Sequence, residues 1–265
     1  MACEVVKLAG GPSARVGVVF LHGFMGAAED WRGVAERLDG FAHVVGVTYG
    51  ADDGDDDFSA SAERLYADLA REWPGAGFPD KVVLAGYSMG GRIATYLALR
   101  QPERFAGVLV ESATPGIADA EARSARYRHD RALARELRAL ENETAFRQFL
   151  EGWYSRPPFE TLNADQRASL IEKRLAQAPE QLAMDLTAFS VGTQPDLWPE
   201  LDSLRIPMLV VCGELDHKYR RIAEDMAART DRIAMQDIAG AGHNVHFEQP
   251  GAYTTVLRGF LDSVL

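Results

Sequence analysis

Ser88 stands in the pentad Gly86-Tyr87-Ser88-Met89-Gly90, which follows a short apolar run, Val82 to Ala85, and opens a helical pattern at Gly91. A G-x-S-x-G in that setting reads as strand, sharp turn and helix. The flanking glycines let the turn close too tightly for side chains, which lifts the serine hydroxyl above a sheet edge. The following helix points its N-terminal amides back toward that serine, where they can hold negative charge. A serine so placed becomes reactive when a base takes its proton and an acid orients the base. Asp216, in Gly213-Glu214-Leu215-Asp216, directly follows the apolar run Pro207 to Cys212. His243, in Gly240-Ala241-Gly242-His243, follows the next strand-like run in the same way. Both belong on the rim that carries Ser88, and Ser88, His243 and Asp216 are assigned as a catalytic triad.

The remaining histidines compete poorly. His43 sits at a strand start, His129 on a polar helix face, and His217 directly after Asp216, where it points elsewhere. His246 lies three residues past His243 and reads as a packing residue. His22, in Leu21-His22-Gly23-Phe24, shapes the loop after the first strand and reads as scaffold. That loop supplies one amide for a developing oxyanion, from Phe24, and Met89 supplies the other.

The elements that must hold these residues alternate. Val16 to Leu21, Val44 to Tyr49, Val82 to Ala85, Gly107 to Glu111, Pro207 to Cys212 and Arg232 to Ile238 are short, β-branched and bounded by Gly, Pro or Asp. They read as buried parallel strands. Helical patterns fall between them at Trp31 to Leu38, Ser59 to Glu72, Gly91 to Arg100, Arg220 to Thr230 and Gly251 to Leu265. The fold class is therefore α/β, of α/β-hydrolase type: a mostly parallel sheet with helices on both faces. The rhythm fails between about Ile117 and Glu200, where no strand is evident. Residues 117–200 are expected to form an all-helical cap inserted into a core of residues 1–116 and 201–265, over the strand ends where open α/β sheets bind ligands. The stretch Asp52-Asp53-Gly54-Asp55-Asp56-Asp57 lacks the spacing and closing glutamate of a calcium loop and reads as a solvated loop.

Helix geometry sorts the arginines of the insertion. With Ala122 to Leu140 as one helix, Leu133, Leu137 and Leu140 form an apolar stripe, and Arg126 falls about 20° from its centre. Arg128, Arg131, Arg135 and Arg138 fall on the opposite, solvated side. Arg174 projects between Leu170 and Ile171 in Ala164 to Ala178, and Arg92 sits one turn past Ser88. Buried guanidinium groups need anionic partners. Any one of the three is accounted for by a protein carboxylate, but three converging on one serine point to a small ligand with more than one carboxylate.

Composition narrows the partners. The chain has 265 residues, ordinary hydrophobic and charged content, and a net charge of −11, which argues against nucleic acid. Cys3 and Cys212 imply no disulfide framework and suit a reducing, cytoplasmic setting. No basic segment precedes an apolar stretch at the N-terminus, so no signal peptide is expected, and the apolar runs are strand-sized, so no membrane span is expected. Oligomeric state is not legible.

Five stretches resemble the 2-succinyl-6-hydroxy-2,4-cyclohexadiene-1-carboxylate synthases of the menaquinone pathway. They are Leu21 to Gly26 with Trp31, Gly86 to Arg92, Trp153-Tyr154 with Pro157 and Phe159, Gly213 to Tyr219, and Ala241 to Pro250. The arginine right after G-x-S-x-G-G, the lysine two after the aspartate and the W-Y-x-x-P-x-F stretch discriminate best. The resemblance implies the triad Ser88, Asp216 and His243, anchoring by Arg92, Arg126 and Arg174, and a pocket lined by Tyr87, Trp153, Phe159 and Lys218. It implies a lyase that eliminates pyruvate from an enolpyruvyl cyclohexene carboxylate, with no metal or organic cofactor. The triad itself is equally compatible with a carboxylesterase, with a carbon–carbon hydrolase for anionic ring-cleavage products, and with a ligand receptor on the same shell.

Overall fold

The computed structural model describes residues 3–11, 14, 16–54, 57–72 and 82–264. Asp55, Asp56 and Leu265, which the sequence analysis touches on, lie outside them. Among the described residues seven strands form one sheet in the order β1-β3-β2-β4-β5-β6-β7. These are β1 (Glu4–Ala9), β2 (Val16–Leu21), β3 (Ala42–Thr48), β4 (Val82–Tyr87), β5 (Phe105–Glu111), β6 (Met208–Gly213) and β7 (Ile233–Ile238). Only β1 runs antiparallel, against β3; the other neighbours pair in parallel. The inner strands β2, β4 and β6 are buried along their whole length, because helices cover both faces.

Two strands differ from expectation. β1 carries Glu4 and Lys7 beside Val5 and Leu8, so its apolar signal is too thin to read; it forms as an edge strand against β3. β7 is not a fully buried strand: Ala234, Gln236 and the ends alternate between exposed and buried, as suits the opposite edge.

The core helices are α1 (Arg32–Ala35), a single turn flanked by 3₁₀ segments, α2 (Phe58–Glu72), α3 (Met89–Arg100), α8 (His217–Ala227), α9 (Val245–Glu248) and α10 (Pro250–Val264). Between β5 and β6 lie α4 (Ala120–Arg138), α5 (Glu143–Tyr154), α6 (Ala164–Arg174) and α7 (Pro179–Ala188). Three of these four begin or are capped as their sequence dictates: Asp119, Asn142 and Asn163 each accept an amide of the first turn. The insertion has its own apolar core, with Ala134, Leu137, Phe146, Leu150, Leu170, Leu182 and Leu186. From Ala188 and Phe189 onward the side chains join the sheet's core, ahead of the expected boundary at residue 200. In the acidic loop, Asp57 caps α2 through the Ala60 amide (2.8 Å) and Asp53 pairs with Arg138 (3.2 Å).

Candidate active site

β2 and β4 are neighbours whose connections leave in opposite directions, to β3 on one side and β5 on the other. Such a switch point opens a crevice at the carboxyl ends of the strands. The elbow after β4 fills it. Ser88 has φ +50° and ψ −106°, a conformation that L residues adopt only under constraint. The constraint is steric: a Cβ on Gly86 would lie 2.2 Å from the Gly90 carbonyl oxygen, and one on Gly90 2.2 Å from that of Leu21. The Ser88 amide donates to the Glu111 carbonyl (2.8 Å) and its carbonyl accepts the Arg92 amide (3.1 Å), which ties the elbow to β5 and to α3.

The loop after β2 closes a turn in which the Gly26 amide donates to the Gly23 carbonyl (2.9 Å), with Met25 at φ +65°. The Met25 side chain is anchored in the insertion's core, which holds the strained residue in place. Neither the Phe24 amide nor the Met89 amide has a protein acceptor among the described residues. Met89 is the first residue of α3, so its amide is one of the helix's free donors.

Asp216 divides its carboxylate between two duties. One oxygen accepts the Tyr219 amide (3.2 Å) as the N-cap of α8; the other lies 2.6 Å from His243 Nδ1. The helix thus begins at His217 rather than at Arg220. His243 Nε2 lies 3.3 Å from Ser88 Oγ. Asp216 and His243 are buried and Ser88 is half-buried, so the line ends at an accessible hydroxyl. Such a line can pass a proton from the serine side to the imidazole, with the aspartate fixing tautomer and orientation.

Aromatic rings roof the line. Phe24 meets Trp153 (centroids 5.5 Å), Trp153 meets Phe159 (6.3 Å), and Phe159 stands edge-on to His243 (5.7 Å). Tyr87 is buried beneath His243 (5.4 Å), and burial holds its phenol well above the usual range. Tyr219, which the sequence analysis passed over, lies closer to His243 (4.6 Å) than either, and Lys218 is exposed with its ammonium 5.1 Å from the Tyr219 ring.

The three arginines differ. Arg92 is half-buried over Phe58 (5.6 Å) and donates to Gln194 (3.2 Å); among the described residues no carboxylate pairs with it. Burial, with the charge of Arg126 added, lowers its pKa to about 10. Arg126 is not turned inward as the wheel implies: its side chain is 45% exposed, and Nε is bonded to Asp130 (2.7 Å). Asp130 is the buried member of that i,i+4 pair and also accepts Ser190 Oγ (2.7 Å). Arg174 is buried, as its position between Leu170 and Ile171 requires, but it is no unpaired cation. Its guanidinium grips Asp30 (2.8 Å) and donates to Tyr154 (3.2 Å). Burial favours its neutral form, yet Tyr154 and Asp30 outweigh that and raise its pKa. No spacing signal links residues 30 and 174, whereas the Arg126–Asp130 spacing was there to be read.

His22 is buried, with Nδ1 2.7 Å from the Gly23 carbonyl; desolvation lowers its pKa to about 4, so it serves as neutral scaffold. His246 is buried, stacks on Trp31 (4.0 Å) and lies 2.8 Å from Glu111. His129 and His217 are exposed. Among the described residues no helix is long and apolar enough to cross a membrane.

A serine elbow at the switch point of a doubly covered sheet, with an aspartate and a histidine on the loops after β6 and β7, is the layout of α/β hydrolases, and the family model described as "Alpha/beta hydrolase family" matches residues 18–255. Within that class the likeness is narrower. The chain is 34% identical over 252 residues, 95% of each chain, to a 2-succinyl-6-hydroxy-2,4-cyclohexadiene-1-carboxylate synthase of Serratia proteamaculans. It is 33% identical over 253 residues, 92% of this chain and 86% of the other, to the synthase of that name from Yersinia pestis. The structure of MenH from S. aureus superposes with a TM-score of 0.86 at 26% identity, covering 99% and 98% of the two chains. The chain belongs to the 2-succinyl-6-hydroxy-2,4-cyclohexadiene-1-carboxylate synthase family of the α/β hydrolases.

Proposed function

We propose that this protein eliminates pyruvate from 2-succinyl-5-enolpyruvyl-6-hydroxy-3-cyclohexene-1-carboxylate to give 2-succinyl-6-hydroxy-2,4-cyclohexadiene-1-carboxylate. The observation that carries the reading is the pairing of a serine–histidine–aspartate line with Arg92, a cation that meets no carboxylate among the described residues, in a chain that matches the synthases along nearly its whole length. An esterase for neutral esters has no need of a guanidinium one turn past its serine.

In the mechanism proposed, His243 takes the Ser88 proton and the serine oxygen removes the ring proton next to the succinyl carbonyl. The electron pair moves into the ring, the ring double bond shifts, and the bond to the enolpyruvyl oxygen breaks. Charge that develops on the succinyl carbonyl oxygen is met by the Phe24 and Met89 amides, each worth roughly 10²–10³ in rate. Pyruvate leaves as its enolate, which becomes the keto acid on taking up a proton, and His243 gives up the proton it took from Ser88, so the triad returns to its starting state. Arg92 binds substrate carboxylate directly, and Arg126 joins it through the nitrogens that Asp130 leaves free. Arg174 supports the site from behind by holding Asp30 and Tyr154. The helical insertion acts as the cap, with Trp153, Phe159 and Tyr87 excluding water.

The test is to incubate the protein with the enolpyruvyl substrate and follow pyruvate, with p-nitrophenyl acetate in parallel. Pyruvate release that is lost in Ser88→Ala and His243→Ala is the expected result. Rapid ester cleavage with no pyruvate would replace the lyase by an esterase, and binding without turnover would replace it by a receptor.

A further inference from the structure

The loop that presents His243 is gripped from both sides by one side chain. Glu248 Oε2 accepts the Gly242 amide (2.8 Å) and Oε1 accepts the Asn244 amide (3.0 Å). One carboxylate therefore takes the amides of the residues on either side of His243. Glu248 is brought there by the turn of α9, where its own amide donates to the Asn244 carbonyl (2.8 Å). A third donor comes from the insertion: Thr161 Oγ1 reaches Glu248 Oε2 (3.3 Å) from the segment between α5 and α6. The same threonine lies directly on the loop. A Cβ at Gly242 would stand 2.0 Å from Thr161 Oγ1 and 2.8 Å from its Cβ, so the insertion rests on the residue before His243.

We propose that Glu248 is a positioning residue for His243 and that Thr161 couples the helical insertion to it. The proposal rests on the reading of Ser88, Asp216 and His243 as the triad. The imidazole has two geometries to satisfy at once, 2.6 Å to Asp216 and 3.3 Å to Ser88. It does so from a loop outside the sheet ladder, where backbone is free to drift. Charge-assisted bonds to both flanking amides remove that freedom. Burial pushes the Glu248 carboxyl above its ordinary range, but the Gly242 and Asn244 amides and the Thr161 hydroxyl oppose this by favouring the carboxylate. Thr161 lies two residues past Phe159, whose ring faces His243 at 5.7 Å. The seat of the insertion and the position of the base are thus set together.

A fluorophosphonate tests this without the lyase substrate. Ser88 Oγ forms the bond to phosphorus, fluoride leaves, and the serine proton passes to His243, so the rate reports the geometry of that pair while the final amplitude counts folded sites. Glu248→Gln places an amino group against a backbone N–H. It should slow labelling at least about tenfold, part of the 10²–10⁴ that a placed base contributes, with wild-type amplitude. Thr161→Val should slow it several-fold and Thr161→Ser should restore it. With the enolpyruvyl substrate, Glu248→Gln should lower kcat and leave KM within about twofold. Labelling of Glu248→Gln at the wild-type rate, or a fall in amplitude alone, overturns the proposal. Should that variant not fold, an unchanged rate in Thr161→Val does so. A wild-type chain that is not labelled at Ser88 overturns the triad reading, and the proposal with it.

Discussion

Asp216 holds His243 by one carboxylate oxygen at 2.6 Å while its other oxygen caps α8 through Tyr219. The side chain that orients His243 is therefore itself immobilised by a helix terminus. Asp216→Asn can still accept the Tyr219 amide, but its amino group faces Nδ1 and selects the wrong imidazole tautomer. We expect kcat for pyruvate release to fall by about 10³–10⁴ with little change in melting temperature. A loss below tenfold would mean that the aspartate serves α8 more than the histidine.

Arg92 and Arg174 should part company on substitution. Among the described residues Arg92 has only Gln194 as a bonded side-chain partner, so Arg92→Met removes a poorly matched charge. Its kcat/KM should drop by about 1.5–3 kcal/mol, roughly 10–150-fold, with stability equal to or above wild type. Arg174→Met strands Asp30 in a largely buried position and should cost about 3–5 kcal/mol of stability. Chemical denaturation of both variants checks this. Equal destabilisation would erase the distinction drawn between them.

The two glycines of the elbow admit no side chain. Gly90→Ala forces a methyl to 2.2 Å from the Leu21 carbonyl oxygen, a backbone atom that cannot step aside. Soluble yield and activity should both collapse. Gly33→Ala, in α1 with nothing within 4 Å, should leave activity intact and raise stability by about 0.4–1 kcal/mol. Wild-type activity in Gly90→Ala would refute the steric account of the pentad.

Asp185 gives stability a pH dependence. Buried in α7, it accepts the Ala51 amide (3.2 Å) and Gln181 (3.0 Å), and desolvation raises its pKa from 3.8 to about 6. The unfolded chain ionises first, so the stabilising contribution present below about pH 4 is lost as pH rises through 6. Asp185→Asn keeps an acceptor for both donors without the charge. Its melting temperature should match wild type near pH 4 and exceed it at pH 7.5, by roughly 1–3 kcal/mol in stability. An offset that does not change with pH would show that Asp185 does not titrate in this way.

Much of the site was legible because each part is local. The Gly86 to Gly90 pentad needs only its neighbours to make an elbow, and Asp216 and His243 each follow a strand at once. β2 was read to the residue because a fully buried parallel strand is apolar throughout. β1 escaped because an edge strand facing solvent needs few apolar residues. The wheel put Arg174 on the buried side of α6 correctly, yet no helical period says whether a buried cation is met by a ligand or by Asp30. For Arg126 the period misled: the stripe direction at that turn is occupied by Asp130, which lies buried and draws the arginine along the surface.

The amino-acid order alone determined that the chain builds a mostly parallel sheet with a serine elbow, and that an aspartate and a histidine follow on later strand ends. Those features depend on side-chain size, backbone freedom and period, all written over a few consecutive residues. Only the tertiary structure decided which cations are already neutralised, that Tyr219 and Phe159 flank the imidazole, and that Glu248 and Thr161 clasp its loop. Pairings across long stretches of chain depend on how the insertion seats on the sheet, and a hydrogen bond between residues far apart in the chain leaves no trace in residue spacing.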